Sequence, residues 1–207
     1  MGFPIRDAFK TFKDLNIYEI WWAITHIDKI WGVWKLSEKA RETANRLIED
    51  PDLDADYAGG QIDALRHILW MALITKRYGA NVARSLGRAY ERGNKWEYKK
   101  GKLEEYYLPD AASMMMDLMN NEIGIEIGLR FPDIRFEDLV QEIKKLILEG
   151  KAWKIKKDLD LNFLDESGRI IPRGRWLGKW QTPKIIVPSD LYAGSTEKVS
   201  DVKVKSK

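Results

Sequence analysis

The fold is decided by two stretches of sequence, QIDALRHILWMALITKRY at residues 61–78 and MMMDLMNNEIGIEIGLR at residues 114–130. The first is predicted to form one helix, because its apolar residues recur at helical spacing and Gly79 follows it as a helix-ending residue. The second is predicted to lie in a long helix that Pro109 opens and that ends near Leu129. These are two of the most apolar helices of the chain, and we expect both in its core.

The rest of the first 150 residues is also predicted to be mainly helical. Apolar spacing predicts further helices over residues 17–33, 38–48, 82–92 and 136–148. Ser37 and Asn81 are predicted as N-caps, and Gly93 and Gly150 as ends of the helices before them. Residues 94–108, which are rich in Lys, Glu and Tyr, are predicted to form a frayed or exposed helix.

The sequence changes character after Gly150. Weak alternation over residues 152–164, a turn at 165–168 and the pair Ile170-Ile171 predict a small hairpin. Residues 172–188 are predicted to be extended, and residues 195–207 to be a disordered tail. The predicted fold class is therefore mainly α, a helical bundle with a small β-hairpin or an extended C-terminal segment. We expect a helical domain over residues 1–150 and a basic hairpin or extended tail over residues 151–207.

Composition limits both the chemistry and the partners of the chain. The 207 residues contain no cysteine, which excludes disulfides, a cysteine nucleophile and a thiolate zinc site. Abundant Lys and Glu without Cys is a thermophile-like balance. The net charge is +3, but residues 151–207 hold 13 Lys and Arg against 7 Asp and Glu. This basic region could meet an anionic partner, although it has no compact block of Lys and Arg, and we favour a solvated tail.

The N-terminal sequence is not typical of a signal peptide or of a membrane span. Charged residues interrupt any apolar segment of a signal peptide, namely Asp7, Lys10, Lys13 and Asp14. The most apolar stretch, residues 15–36, also contains four polar residues that disfavour a transmembrane segment: Glu19, His26, Asp28 and Lys29. We expect a cytoplasmic protein, or one released without a classical signal peptide by a holin-like, vesicle or specialised route. Association with a virion is a third alternative.

The strongest candidate for a site begins with Asp63 and His67. These residues are four apart on one helix, so their side chains are neighbours on the same face. An ionisable pair on an apolar face is costly unless its members find partners. Such an aspartate can fix the tautomer of the histidine and raise its basicity, or both side chains can bind one metal ion.

A second polar group lies on the other apolar helix. Asp117, Asn121, Gly124 and Gly128 share one face, and Asn120 lies beside it. Buried amides and carboxylates need hydrogen-bond partners. The glycines permit close approach by another helix or by a ligand.

Glu91 and its neighbour Tyr90 are the third contribution. Glu91 is a candidate general base or metal ligand, or else an ion-pair partner of Arg84 or Lys95. Arg66 and Tyr90 join Asn120 and Asn121 as candidate substrate-binding residues. For the whole group, the structural alternative is a buried hydrogen-bond network that specifies helix register.

The identity of any metal stays open at this stage. His26 is the only other histidine, so a zinc site built from several histidines is nearly excluded, whereas an oxygen-rich Mg, Ca or Mn site is not. The alternating aspartates 52, 54 and 56 resemble a calcium loop. That loop requires glycine and glutamate where this chain has Tyr57 and Asp63. The prediction is therefore either no cofactor or one hard divalent cation.

These residues resemble an uncharacterised all-helical domain of unknown function from bacteria and phages, found in exported, wall-associated or toxin-like proteins. The resemblance covers roughly residues 58–150. It is carried by the following segments: Asp63-Ala-Leu-Arg66-His67-x-x-Trp70, then Gly79, Ala83 and Glu91, then Asp117-Leu-x-Asn120-Asn121-x-x-Gly124-x-x-x-Gly128. Members of that family carry His-Glu where this chain has Tyr90-Glu91, so a two-histidine site is not implied here. The resemblance implies an all-helical core and no settled activity.

The first functional hypothesis is a hydrolase of phosphodiester or cell-envelope substrates. His67 is the predicted general base or acid, and Asp63 orients it. Asp117 and Glu91 are predicted to bind a hard cation or to share the proton transfer. The amides of Asn120 and Asn121 are predicted to hydrogen-bond the substrate or its developing negative charge.

Two hypotheses of other classes remain beside it. In the first, the chain is a non-enzymatic structural or interaction protein related to phages or viruses, and it assembles through its Trp-rich first helix and its C-terminal segment. In the second and weaker one, the basic tail binds nucleic acid, and the binding then falls steeply as salt is added.

Overall fold

The computed structural model describes residues 15–100 and 110–190. This part of the chain contains six α-helices, with the following bounds: α1 Ile17–Thr25, α2 Ile30–Arg46, α3 Gln61–Tyr78, α4 Ala80–Lys99, α5 Ala111–Arg130 and α6 Phe136–Leu148. Short 3-10 turns cover Leu47–Glu49 and Arg173–Arg175, and the strands are β1 Trp153–Ile155 and β2 Ile186–Pro188. The prediction of a mainly α fold with a small β element is confirmed.

Helix α3 is the centre of the bundle. Between Gln61 and Thr75 every residue except Arg66 is buried, as expected for a helix that is surrounded by other elements. Helices α2, α4, α5 and α6 all pack against it, and α1 packs on α4. Because α3 carries both Asp63 and His67, the predicted site lies inside the core.

Helices α3 and α5 approach each other closely because α5 presents glycine to α3. A Cβ atom built on Gly124 would overlap the carbonyl oxygen of Ile68. One built on Gly128 would lie 2.7 Å from Thr75 Cβ and 2.8 Å from Ala72 O. The predicted close approach at these glycines is therefore made by a neighbouring helix, and it brings the polar face of α5 up to that of α3.

The prediction of a single helix over residues 17–33 is wrong, because a turn at 26–29 separates α1 from α2. His26 stacks on Trp22 with ring centroids 4.3 Å apart, and its Nδ1 lies 2.9 Å from Trp22 O. The Thr25 hydroxyl donates to the same carbonyl at 2.9 Å. These side chains compete for backbone groups that would continue the helix.

Ser37 and Asn81 do not cap helices. Ser37 lies inside α2, where its hydroxyl donates to Val33 O and accepts a 2.7 Å hydrogen bond from Trp70 Nε1. Asn81 lies inside α4, which begins directly after Gly79. Gly93 does not end a helix either: a Cβ at this position would overlap the Asn16 side chain, so the glycine makes room for the chain at the start of α1.

The small sheet is antiparallel, but its second strand is not the predicted one. Trp153 pairs with Pro188, Lys154 with Val187 and Ile155 with Ile186. Residues 157–170 do turn back, but they contribute only isolated bridges between Lys157 and Phe163 and between Leu164 and Ile170. A later segment of the chain forms β2, because the chain first packs against the bundle and only then pairs with β1.

Three lysines of the basic C-terminal region are ion-paired to acids of the helical region. Lys154 lies 3.1 Å from Asp54, Lys157 2.6 Å from Asp56 and Lys184 2.7 Å from Asp110. All of these side chains are largely buried, so their charges fasten the segment to the bundle. Asp110 also caps α5 by accepting from Ser113 N at 2.9 Å.

Some predictions fall outside the described residues. These are the disordered tail over 195–207, the opening of α5 by Pro109, and the part of the exposed helix beyond residue 100. Within residues 15–100 and 110–190, no helix combines the length and the hydropathy needed to cross a membrane.

Candidate functional site

The candidate site lies where the first turns of α3 meet the middle of α4 and α5. His67 Nε2 is 3.3 Å from Asp117 Oδ1 and 3.6 Å from Asp63 Oδ1. Asp63 is one turn before His67 on α3, as the four-residue spacing predicts, and Asp117 arrives from α5. The structure thus brings together three of the four candidate catalytic side chains at contact distance.

The proton on His67 is placed by its two hydrogen-bond partners. Arg66 Nη2 lies 2.7 Å from His67 Nε2, and a guanidinium can only donate, so Nε2 accepts. His67 Nδ1 lies 3.2 Å from Asn121 Oδ1 and therefore carries the proton. Burial of the ring, together with the neighbouring charge of Arg66, lowers the pKa of His67 to about 3. The imidazole is neutral at physiological pH.

Asp63 is held by a backbone amide and by an ion pair. Its Oδ2 accepts a 2.8 Å hydrogen bond from Gly59 N, in the turn before α3. Its Oδ1 accepts from Arg66 Nη2. The sequence analysis did not identify Gly59 as part of the site. The only signal for it was the Gly-Gly pair directly before the helix, where φ of Gly59 is +98°.

Asp117 and Glu91 each bury an oxygen without a hydrogen-bond partner. These atoms are Asp117 Oδ1 and Glu91 Oε1. Burial raises the pKa of Asp117 well above its usual range, and the nearby Asp63 and Glu91 carboxyls raise it further. Burial also raises the pKa of Glu91 to about 8, although Asn94 donates to it at 3.5 Å. Three carboxyl groups therefore face one guanidinium, that of Arg66.

Aromatic rings enclose the histidine. The His67 ring lies edge-on to Trp70 and to Tyr90, with centroids 6.2 Å and 6.4 Å away. Burial raises the pKa of Tyr90 to about 12, so its hydroxyl stays protonated. Tyr57 lies beside Arg66, whose guanidinium carbon is 5.6 Å from the ring centre. These rings keep bulk water away from the polar atoms and strengthen the electrostatic interactions among them.

Asn120 lies outside the cluster. Its Nδ2 donates to Trp153 O at 2.9 Å, and its Oδ1 accepts from Trp153 N at 3.0 Å. Both halves of the amide are therefore used to dock β1 on α5. We leave Asn120 out of the functional assignment, and Asn121 contributes the amide that reaches His67.

The ion-pair alternatives for Glu91 are contradicted by the contacts of its proposed partners. Arg84 pairs with Glu122, with Nη2 2.7 Å from Oε2. Lys95 lies over the Trp180 ring, 5.2 Å from its centre. Glu91 points into the core instead, where the relevant charges are those of the cluster.

The aspartates that resemble a calcium loop form ion pairs with lysines and accept hydrogen bonds from backbone amides. Asp52 pairs with Lys144 at 2.7 Å, and Asp54 accepts from Gln61 N at 2.9 Å while pairing with Lys154. Asp56 pairs with Lys157. The carboxylates are therefore arranged to hold the turn before α3 in place.

The cluster is nearly closed to solvent, and Arg66 has the most exposed side chain of the four that meet at His67. The exposed fraction of the side chain is 20% for Arg66, 12% for Asp117, 10% for Asp63 and zero for His67. A surface cavity of about 240 Å³ between α2 and α6 is lined by residues such as Thr43, Phe136 and Val140, and it does not include the cluster. A small ligand would therefore approach along the Arg66 side chain.

The cluster has the donor atoms of a metal site. One nitrogen of His67 and one oxygen each of Asp63 and Asp117 lie within 4.8 Å of one another, and all three residues are buried. Carboxylate oxygens suit Mg, Ca and Mn, and imidazole suits the transition metals. The unpartnered Asp117 Oδ1 is the atom that a cation would satisfy.

Comparison with known proteins identifies one family. A family model described as a domain of unknown function, DUF6973, matches residues 20–151, from α1 to the end of α6. The prediction of an uncharacterised domain is thereby confirmed, over a longer stretch than the one that carried the resemblance. No curated protein and no solved structure matches the chain.

Proposed function

The chain belongs to the family of the domain of unknown function DUF6973, and we propose that it is a hydrolase dependent on a divalent cation. The proposed ligands of the cation are Asp63, His67 and Asp117. One observation carries the proposal: the three donor atoms converge in the core, and Asp117 Oδ1 among them has no hydrogen-bond partner. A buried polar atom of this kind costs about 1–3 kcal/mol unless something satisfies it.

The balance of charge supports a divalent ion. With all three carboxyl groups ionised, Asp63, Glu91 and Asp117 carry two negative charges more than Arg66 neutralises. Buried carboxylates are expensive without compensating charge. A divalent cation supplies that charge and allows Asp117 to act as an ionised ligand.

The tautomer of His67 also supports this assignment. Asn121 Oδ1 accepts a hydrogen bond from Nδ1–H, which leaves the lone pair of Nε2 on the side of the two aspartates, where it accepts from Arg66. Metal-binding histidines are usually fixed in this way by a partner on the other ring nitrogen. A neutral histidine with a strongly lowered pKa is a poor general base, so the role of ligand fits His67 better than the proton transfer predicted from sequence.

The neighbouring residues then have distinct roles in hydrolysis. A bound divalent cation polarises a substrate oxygen and lowers the pKa of water. Glu91, whose pKa is about 8 in the cation-free cluster, is placed to hold or release a proton. Arg66 can bind an anionic oxygen at the mouth of the site. Tyr90 and Trp70 exclude bulk water. An anionic ester such as a phosphodiester suits these residues as a substrate. A charged cell-envelope polymer suits them for the same reason.

The proposal is tested by hydrolysis of a panel of phosphodiester and cell-envelope substrates with Mn²⁺. We expect Mn²⁺-dependent turnover that falls at least about 100-fold in Asp117→Asn and in His67→Gln, since each substitution removes a ligand. Glu122→Gln on the same helix is the matched control and should keep its activity, because Glu122 pairs with Arg84 on the surface. Circular dichroism checks that each variant folds. Equal turnover in Asp117→Asn and the parent chain would refute the proposal.

An exposed apolar patch on α1 and on the turn that follows it favours a second candidate, a role in protein assembly. Trp21, Ile24 and Ile27 are 64%, 59% and 77% exposed. Neighbouring apolar side chains exposed in this way are typical of interaction surfaces. Sedimentation of the parent chain and of Trp21→Lys with Ile27→Lys tests this role. The parent chain should form a defined oligomer that the double variant loses, and a parent monomer at all concentrations would dismiss self-assembly.

A further inference from the structure

Arg66 holds two of the three proposed ligand atoms. Its Nη2 donates to Asp63 Oδ1 and lies 2.7 Å from His67 Nε2. Asp117 Oδ1, the third ligand atom, receives no hydrogen bond from it or from any other described side chain. The guanidinium therefore lies where a cation bound to Asp63 and His67 would have to lie.

His67 Nε2 cannot accept from Arg66 and bind a metal ion at once. A neutral imidazole with its proton on Nδ1 has a single lone pair, on Nε2. That lone pair either accepts a hydrogen bond or coordinates a metal. Two positive charges sharing the same carboxylate oxygen would also repel each other. We infer that Arg66 competes with a divalent cation for Asp63 and His67, an inference that rests on the proposed function.

The surroundings of Arg66 allow it to leave the cluster. Its side chain is more exposed than those of Asp63, His67 and Asp117, and the Tyr57 ring lies beside the guanidinium. Its Nε is buried without a hydrogen-bond partner, so the present position leaves one donor unused. Displacement towards solvent would satisfy that donor with water or with an anion.

The displaced guanidinium gives the site its preference for an anionic substrate. Once released from Asp63, Arg66 keeps its charge and stands at the mouth of the site, where its planar donors match phosphate or carboxylate oxygens. Cation binding therefore frees the group that recognises the substrate. The substrate class is an anionic ester, such as a phosphodiester, whose charged oxygen lies next to the bond that is cleaved.

Calorimetric titration with Mn²⁺ alone tests the competition. Arg66→Gln should bind Mn²⁺ at least about tenfold more tightly than the parent chain, because a charge-assisted hydrogen bond no longer has to be broken. Mn²⁺ should also raise the melting temperature of Arg66→Gln by more than that of the parent. Arg84→Gln is the matched control, since Arg84 is likewise paired with a carboxylate but lies away from the cluster, and its affinity should not change.

Equal or weaker Mn²⁺ affinity in Arg66→Gln would overturn the inference while leaving the cation site itself intact. Absence of Mn²⁺ binding in both the parent chain and Arg66→Gln would refute the proposed function instead, so the two failures are distinguishable. If Arg66→Gln does not fold, Arg66→Met decides in its place, because methionine keeps the apolar stem without a donor. Affinity in Arg66→Met at or below that of the parent chain would again overturn the inference.

Discussion

At the residue scale, Glu91 is a buried carboxyl group whose pKa lies near neutral pH. Burial raises its pKa from an ordinary 4.5 to about 8, and the charges that it faces are those of Arg66, Asp63 and Glu19. An unfolded chain releases this proton above pH 4.5, whereas the folded chain retains it up to about pH 8. The folded state therefore binds more protons between these values, and its stability must fall as pH rises.

This difference predicts the pH dependence of unfolding in Glu91→Gln. Without added cation, the melting temperature of the parent chain should fall between pH 5 and pH 8 by more than that of Glu91→Gln. The pKa of Asp117 is also raised, so the melting temperature should keep some dependence on pH in both the parent chain and Glu91→Gln. Glu122→Gln controls for the loss of a surface carboxylate. Identical slopes in the parent chain and in Glu91→Gln would show that Glu91 is ionised throughout.

Sequence spacing predicted which residues share a face, but not which atoms meet. The intervals from Asp63 to His67 and from Asp117 to Asn121 are each one helical turn, and they placed these pairs correctly on two helices. Spacing could not reveal that the Arg66 side chain donates a hydrogen bond to His67, because long side chains adopt many rotamers. It also could not distinguish Asn121, which reaches His67, from Asn120, which binds β1.

At the element scale, the contact between α3 and α5 positions Asp117 against His67. Gly124→Ala tests this contact, because the added Cβ would overlap Ile68 O on α3. Helix propensity alone would make alanine more stable than glycine by up to ~1 kcal/mol. Overpacking should outweigh this gain and reduce the free energy of unfolding by about 1–3 kcal/mol, measured by urea denaturation.

Gly174→Ala is the matched control for this prediction. A Cβ at Gly174 would meet no atom within 4 Å, so its free energy of unfolding should change by less than about 0.5 kcal/mol. If Gly124→Ala were more stable than the parent chain, the two helices would have to be farther apart than described.

Helix boundaries were predictable where local signals agreed with the packing. The prediction for α6 over residues 136–148 matches the observed helix, because an amphipathic run ends at a glycine. The predictions at Ser37, Asn81 and Gly93 failed because cap and stop residues also occur inside helices for tertiary reasons. Gly93 makes room for Asn16, and Ser37 binds Trp70, and neither contact is visible in the local sequence.

At the scale of the whole molecule, residues 151–190 pack on the bundle rather than projecting from it. Three lysines of this region form ion pairs with acids of the helical region, namely Lys154, Lys157 and Lys184. Their charges are therefore not available to bind a phosphate backbone. Composition showed the charge asymmetry between the two regions. It could not show that these three lysines pair with acids of the helical region. The pairing of β1 with β2 was likewise unpredictable, since it joins residues more than thirty positions apart.

The most direct test of the central claim is a crystal structure of the full chain grown with Mn²⁺, with the ion located by its anomalous scattering. We expect one buried ion at about 2.0–2.3 Å from His67 Nε2, Asp63 Oδ1 and Asp117 Oδ1. Arg66 should have turned away from His67. A crystal in which Mn²⁺ binds only at the surface, with Arg66 still bonded to His67, would contradict the assignment of a cation to this cluster.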